Sequence, residues 1–357
     1  MSEKQESKYI LVKNFYLDYI NKNDLQGGEL LPSEAEAAKV FKFSRDTIRR
    51  GLNELEKEGY LERERGKGTF FIKPKKKLKE KKIAVITTYV SNYIFPSIIS
   101  GIEEEVSSRH YTLTFASTKN DPERERELLG KIIDSEVEGL IIEPAKSAVK
   151  PNLDLYRELD EKEIPFVMIN AMYKELEPSY VIMDDCKGAY IAAKYLLQLG
   201  HQRIAGIFKK DDLQGVYRKK GFIKALREYK ISLNDVLIGE YNTGDTESYT
   251  YYFTEEILKQ KDRITAVLCY NEEMAMKVID VIYNNDLKIP DDISLLTFDD
   301  SVLATTGGLR LTTIRHPKKE LGKKAAQQLF NMINFTTHKP TYIYEPELVV
   351  RSSCKEI

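Results

Sequence analysis

The sequence predicts an α/β protein in two parts: an N-terminal winged helix-turn-helix, then a two-lobed α/β domain of parallel sheets with helices on both faces. Three observations predict it. Two short helical patterns and a glycine-tipped hairpin follow one another within residues 32–69. A lysine-rich run with almost nothing to bury, KPKKKLKEKK at residues 73–82, comes next and reads as a mobile linker. From residue 82 onward, short apolar runs alternate with amphipathic helical patterns, as in parallel sheets covered by helices. These transitions divide the chain into residues 1–72, 73–81 and 82–357.

The first helix is expected over residues 9–22, where Val12, Tyr16, Tyr19 and Ile20 share one apolar side. Lys8 just before it is a candidate phosphate contact. A turn containing Gly27-Gly28 leads to Pro32, which suits the first turn of a helix, and Ser33 with Glu36 has capping-box spacing. Ser44 can cap a second helix in which Ile48, Leu52 and Leu55 form a buried stripe. The opposite side carries Arg45, Asp46, Arg49, Arg50 and Asn53. A tight turn into a helix with a cationic outer face places side chains in a DNA major groove. Two short strands, 60–64 and 69–72, then flank the tip Arg65-Gly66-Lys67-Gly68. Glycines there let backbone approach a partner, and the cations suit phosphates or a narrow minor groove.

This segment resembles the winged-helix domain of GntR-type regulators. The match lies in Leu31–Glu34, in Ser44-Arg-Asp-Thr-Ile-Arg49 and in the Gly66–Phe70 stretch. The resemblance implies binding to double-stranded operator DNA and adds Ser44 and Thr47 to the DNA-contacting set.

Composition bounds the alternatives. The 357 residues suffice for two or three domains, and the net charge of −1 says nothing of nucleic acid. The distribution says more: residues 1–80 carry 18 Lys and Arg against 14 Asp and Glu, a net +4 that leaves −5 for the remainder. Three scattered cysteines (Cys186, Cys269, Cys354) and four scattered histidines suggest neither a disulfide framework nor a zinc site. No apolar stretch approaches a membrane span and the first residues lack a signal peptide's apolar core, so a cytoplasmic protein with no membrane partner is expected.

In the second part, strands are expected at 83–87, 113–115, 139–142, 166–169, 204–208, 266–269 and 293–298. Helices are expected at 97–108, 122–134, 188–199, 214–228, 272–285 and 318–333. These strands are too many for one compact sheet, so two facing lobes follow, with a ligand cleft beyond the carboxyl ends of the strands. The strand ends supply Tyr89, Tyr93 and Phe95, then Glu143 and Lys146, then Asn170, then Asp184, and later Tyr270 with Asn271, and Asp299. Aromatic rings interleaved with carboxylates and amides suit a small polyhydroxylated ligand. Asp184, Asn271 and Asp299 also stand where a helix N-cap can be wanted.

Residues 82–357 resemble the effector domain of the LacI/GalR repressors, itself similar to periplasmic sugar-binding proteins. The residues that match are Asp184-Asp185 with Gly188, Leu199-Gly-His-Gln-Arg-Ile204, Arg218 before Gly221-Phe222, Asn271 to Ala275, Ile289-Pro-Asp-Asp-Ile-Ser294 and Phe298-Asp-Asp300. By that resemblance Arg218, Asn271 and Asp299 hold the effector, and Asn170 stands where that family often has Asp. The head departs from LacI/GalR proteins, whose hinge helix has no counterpart here. The combination of the two parts, with Gln214 in the 206–215 run and the 143–147 run, is similar to L-arabinose-responsive transcriptional repressors. That resemblance implies L-arabinose as effector, a homodimer on a pseudo-palindromic site with the helix 96–108 in its contact, and no cofactor. The same scaffold answering to another sugar or a sugar phosphate is the alternative. A transport protein is disfavoured by the winged helix. An enzyme is disfavoured because no phosphate loop, metal cluster or nucleophile–His arrangement occurs.

Overall fold

The structure is a computed structural model that describes residues 8–64, 66–73, 81–91, 93–260, 264–335 and 339–357. It divides into two compact units, Met1–Glu80 and Lys81–Ile357. Residues 74–80 of the expected linker lie outside the described residues.

In the first unit, helices Lys8–Lys22, Glu34–Phe41 and Arg45–Lys57 precede strands β1 (Leu61–Glu64) and β2 (Gly68–Phe71). Val12, Tyr16, Ile48, Leu52 and Leu55 are fully buried in one small core. Gly51 permits the close contact between the first and third helices, since a Cβ there would sit 2.7 Å from Val12 Cγ1. The capping box of Ser33 and Glu36 is formed. β1 and β2 pair antiparallel, Leu61 opposite Phe71 and Glu64 opposite Gly68.

In the second unit, strands β3 (Lys82–Thr87), β4 (Thr112–Ser117), β5 (Gly139–Ile142), β6 (Phe166–Ile169) and β7 (Ser179–Met183) come first. Then follow β8 (Ile204–Lys209), β9 (Leu237–Tyr241), β10 (Ala266–Cys269), β11 (Ser294–Asp299), β12 (Thr312–Arg315), β13 (Thr341–Tyr344) and β14 (Glu347–Val349). They form two six-stranded sheets, ordered β4-β3-β5-β6-β7-β13 and β9-β8-β10-β11-β12-β14. Every pairing is parallel except β12 with β14.

Both faces of each sheet are buried, which explains the continuous apolar runs. Along β3, Ile83 and Val85 enter one core while Ala84 and Ile86 enter the other. Val267 and Cys269 oppose Ala266 and Leu268 along β10 in the same way. The chain passes between the lobes after β7, after β12 and between β13 and β14. The crossings run side by side, since β7 pairs with β13 in one lobe and β12 pairs with β14 in the other. The helix Phe95–Ser107 packs against Lys318–Asn334, and Ile98, Ile102 and Val106 are fully buried there. Glycines make that approach possible: a Cβ on Gly101 would meet Lys319 O at 2.1 Å, and one on Gly322 would meet Ile98 O at 2.0 Å.

Candidate functional site

In the first unit, the helix Arg45–Lys57 starts at Ser44, whose side chain accepts the Thr47 N–H at 3.3 Å and meets the Thr47 hydroxyl at 2.9 Å. With Ile48, Leu52 and Leu55 turned inward, Arg45 and Arg49, one helical turn apart, are exposed together. Arg49 forks onto Glu34: its Nε and Nη2 donate to the two carboxylate oxygens at 3.3 and 3.2 Å. Arg63 Nη1 lies 4.0 Å from the same carboxylate, and Arg63 Nη2 donates to Asn53 Oδ1 at 2.7 Å. One acidic side chain thus ties the first strand of the wing to both helices of the pair. Sequence reasoning gave Glu34 no such part, because an acid in a helix's first turn is already accounted for by the helix dipole.

Arg50 turns away from Arg49 and stacks 4.4 Å over the Tyr9 ring, while Lys8 Nζ lies 5.6 Å from the centre of the Phe43 ring. At the hairpin tip Gly66 and Gly68 have φ of +81° and +129°, backbone that favours glycine. Lys67 is exposed there, 2.7 Å from Glu64 Oε2. Arg65 lies outside the described residues.

In the second unit, a cavity of about 650 Å³ lies between the lobes. It opens at the carboxyl ends of β3 and β5 in one lobe and of β8 and β10 in the other. In each pair the two neighbours' onward connections leave in opposite directions, the switch points where open parallel sheets bind ligands.

Arg218 forms its floor. The side chain is 1% exposed; Nε donates to Asp185 Oδ1 at 2.8 Å, Nη1 donates to Tyr270 O at 2.5 Å, and Nη2 lies 3.4 Å from Asp299 Oδ1. The guanidinium also faces the rings of Phe298 at 4.1 Å and Tyr270 at 4.8 Å. Burial works against its charge, but Asp185 and Asp299 outweigh that and hold Arg218 above its ordinary range. Burial lifts the Asp185 carboxyl to about 7 against the pull of Arg218.

Tyr93 reaches across from the other lobe. Its hydroxyl donates to Asp299 Oδ2 at 2.7 Å and accepts the Glu272 N–H at 3.1 Å. Tyr93 and Asp299 both have left-handed φ, +64° and +101°, so strained backbone is concentrated at this junction. Glu272 lies beneath it, receiving the Ser301 N–H at 2.9 Å and the Thr313 hydroxyl at 3.0 Å. Burial, then the nearby Asp299, raises its carboxyl to about 7.

On the opposite wall Glu143 accepts the Thr88 N–H at 2.9 Å and Asn170 Nδ2 at 2.8 Å, and burial raises its carboxyl. Lys209 and Asp212 pair at 3.4 Å. Asp212 also accepts the Ser147 hydroxyl at 2.9 Å and the Tyr270 hydroxyl at 3.1 Å. Burial raises the Asp212 carboxyl, but Lys209 and these donors bring it below its ordinary value.

Of the residues expected at the site, Tyr89, Tyr93, Phe95, Glu143, Gln214, Arg218, Tyr270, Asn271 and Asp299 line the cavity. Three stand elsewhere. Asp184 caps the helix Asp185–Gln198, accepting the Lys187 N–H at 2.8 Å, while its neighbour Asp185 holds Arg218. Lys146 sits in a turn with φ of +40°, its N–H donated to Asn120 Oδ1 at 2.6 Å. Asn170 lies behind Glu143, its Oδ1 3.1 Å from His316 Nε2. Asn271 does both jobs: its Oδ1 accepts the Met274 N–H at 3.0 Å, and the residue still lines the cavity. Thr88, Lys209, Asp212 and Tyr241 line it as well. Lys209 and Asp212 directly follow the apolar run expected at 204–208, whereas Tyr241 ends β9, a strand that the apolar pattern does not reveal.

Among the described residues no cluster of three or more His, Cys, Asp or Glu side chains is placed to hold a metal, and no helix is long and apolar enough to cross a membrane.

Comparison with known proteins supports both halves. The gntR family of bacterial regulatory proteins matches residues 17–71, and the periplasmic binding protein-like domain matches residues 193–354. An arabinose metabolism transcriptional repressor of Geobacillus stearothermophilus is 43% identical over 364 aligned residues, covering 100% of both chains. Another from Halalkalibacterium halodurans is 42% identical, over 98% of this chain and 97% of that one. A solved LacI family transcriptional regulator from Enterococcus faecium, with bound ribose, superposes with a TM-score of 0.69 at 24% identity, covering 78% of this chain and 100% of that one. At that identity the likeness speaks to the fold.

Proposed function

Because this chain belongs to the family of arabinose metabolism transcriptional repressors, we propose that L-arabinose is the effector its cavity holds and that the sugar releases operator DNA. The chain is a transcriptional repressor with a GntR-type DNA-binding head and a LacI-type effector domain, and not an enzyme.

The observation that carries the effector assignment is the buried pairing of Arg218 with Asp185 and Asp299 under aromatic walls. Arg218 donors and Asp299 acceptors can grip adjacent hydroxyls, while Tyr89, Phe95 and Tyr270 offer faces to the C–H side of a sugar. A neutral ligand fits the charge balance. Arg218 is compensated by two carboxylates and Lys209 by Asp212, so a phosphate would have to break existing pairs. This argues against a phosphorylated effector.

On the DNA side, Arg45 and Arg49 read major-groove base edges, with Ser44, Thr47 and Arg50 shaping or flanking that face. Gly66, Lys67 and Gly68 follow the backbone beside it, and Lys8 meets a phosphate. A homodimer places two such heads on a pseudo-palindromic operator, in the cytoplasm where that DNA is. The exposed side of the helix Phe95–Ser107, opposite the face taken by Lys318–Asn334, contributes to the dimer contact. Sugar binding stabilises one arrangement of the lobes about the three crossings. A coupling of about 1–3 kcal/mol between the sites is enough to relieve repression several-fold.

Titration calorimetry on the full chain tests the effector. L-arabinose is expected to bind with unit stoichiometry per chain, and Asp299→Ala is expected to abolish it. Heat from other pentoses but none from L-arabinose would refute the assignment.

A further inference from the structure

The cavity is larger than one sugar ring requires. Ligand pockets of about 300–1,000 Å³ take molecules of drug size, and this one measures about 650 Å³. Its deep half is the Arg218–Asp299 floor. The outer half runs along one side of the helix Glu272–Asn284, where Lys277 and Asp280, nearly a turn apart, both line it. Tyr251 and Thr246 of the helix Thr246–Lys259 line the cavity too. Tyr251 lines the cavity and is 37% exposed, so its ring is not buried in the core.

We infer that this outer half is a second sugar subsite, so that the protein also takes a disaccharide carrying an L-arabinose end. An aromatic ring beside a carboxylate and an ammonium group is the surface a second ring needs: C–H faces against Tyr251, hydroxyls toward Asp280 and Lys277. Lys277 Nζ lies 3.9 Å from a Glu247 carboxylate that is three-quarters exposed, so water or a hydroxyl can replace that partner at small cost. The outer groups are more exposed than Arg218, which is 1% exposed and donates to Asp185, Tyr270 O and Asp299. The deep half takes the terminal ring and the outer half the next one, which makes a short arabinose-containing oligosaccharide the ligand class.

This inference rests on L-arabinose being the effector, and the test separates the two. Full-length protein is titrated calorimetrically with L-arabinose and with α-1,5-linked L-arabinobiose, as wild type, Tyr251→Ala and Asp280→Ala. The disaccharide is expected to bind at least as tightly as the monosaccharide. Either substitution should weaken the disaccharide about fivefold or more while leaving L-arabinose within twofold. If L-arabinose binds and the disaccharide does not, or if neither variant changes the ratio of the two affinities, the second subsite is refuted and the effector assignment stands. If L-arabinose itself fails to bind, both fall.

Discussion

The Tyr93 hydroxyl, carried by one lobe, donates to Oδ2 of Asp299 in the other at 2.7 Å. The Tyr93 hydroxyl oxygen in turn accepts the Glu272 N–H at 3.1 Å, so one side chain joins the lobes at the floor of the cavity. Loss of a hydrogen bond to a charged group costs about 1.5–3 kcal/mol. Tyr93→Phe is therefore expected to weaken L-arabinose binding by about tenfold, through a less stable closed arrangement, and to leave operator affinity without sugar unchanged. Calorimetry and gel retardation on the same preparation check the two halves of that expectation.

Arg218 compensates two buried carboxylates. Removing one partner of a buried ion pair costs about 3–5 kcal/mol, and here it would leave Asp185 and Asp299 facing each other. Arg218→Ala should lower the melting temperature of the effector domain by several degrees and abolish the sugar response. Arg218→Ala together with Asp185→Ala should recover part of the stability but none of the binding. Differential scanning calorimetry measures the first effect.

Arg49 is held in place by Glu34 through two hydrogen bonds. Arg49→Ala should cost about 1–3 kcal/mol against the operator, because a bidentate base contact is lost, and should change random-sequence DNA binding much less. Lys67→Ala should weaken operator and random DNA alike and reduce the slope of log affinity against log salt by about 1. Anisotropy titrations at several salt concentrations separate these signatures.

Glu125 is buried in the first lobe, accepting the Ala145 N–H at 2.5 Å and the Tyr156 hydroxyl at 2.7 Å. Burial, outweighing these donors, raises its carboxyl from 4.5 to about 7. A raised folded-state value means that the contribution is fully present below pH 4.5 and is lost as pH rises through about 7. At 1.36 kcal/mol per unit the swing is of order 3 kcal/mol. Glu125→Gln should flatten that part of the stability-versus-pH curve, as urea melts between pH 5 and 8 would show.

Both architectures were legible because each rests on strong local signals. The capping box at Ser33, the cap at Ser44 and the Ile48–Leu52–Leu55 stripe are decided within a few residues. Buried parallel strands such as Ile83 to Ile86 announce themselves as unbroken apolar runs. The strands that went unseen are short, polar or at sheet edges: β12 reads TTIR, β13 has mostly exposed residues, and β14 has three residues. β7 was hidden by its alternating burial, Ser179 in and Tyr180 half out. The helices Leu153–Glu161 and Thr246–Lys259 were also missed; the latter's SYTYYFTEE run mixes β-branched and aromatic residues that favour strands. At the cavity, strand-end logic brought most of the lining together but could not separate Asp184 from Asp185, adjacent residues that a helix start sends in different directions. Nor could it see that Asn170 stands behind Glu143, since depth in a cleft depends on tertiary contacts.

The central claim is that a sugar in the Arg218–Asp299 cavity weakens the grip of the winged helix on DNA. The most direct measurement is fluorescence anisotropy of the full-length protein on its operator duplex, titrated with L-arabinose, alongside the Asp299→Ala variant. Wild type should lose operator affinity by tenfold or more as the sugar saturates, while the variant binds DNA normally and ignores the sugar. Operator affinity that stays constant at saturating L-arabinose in the wild type would contradict the account.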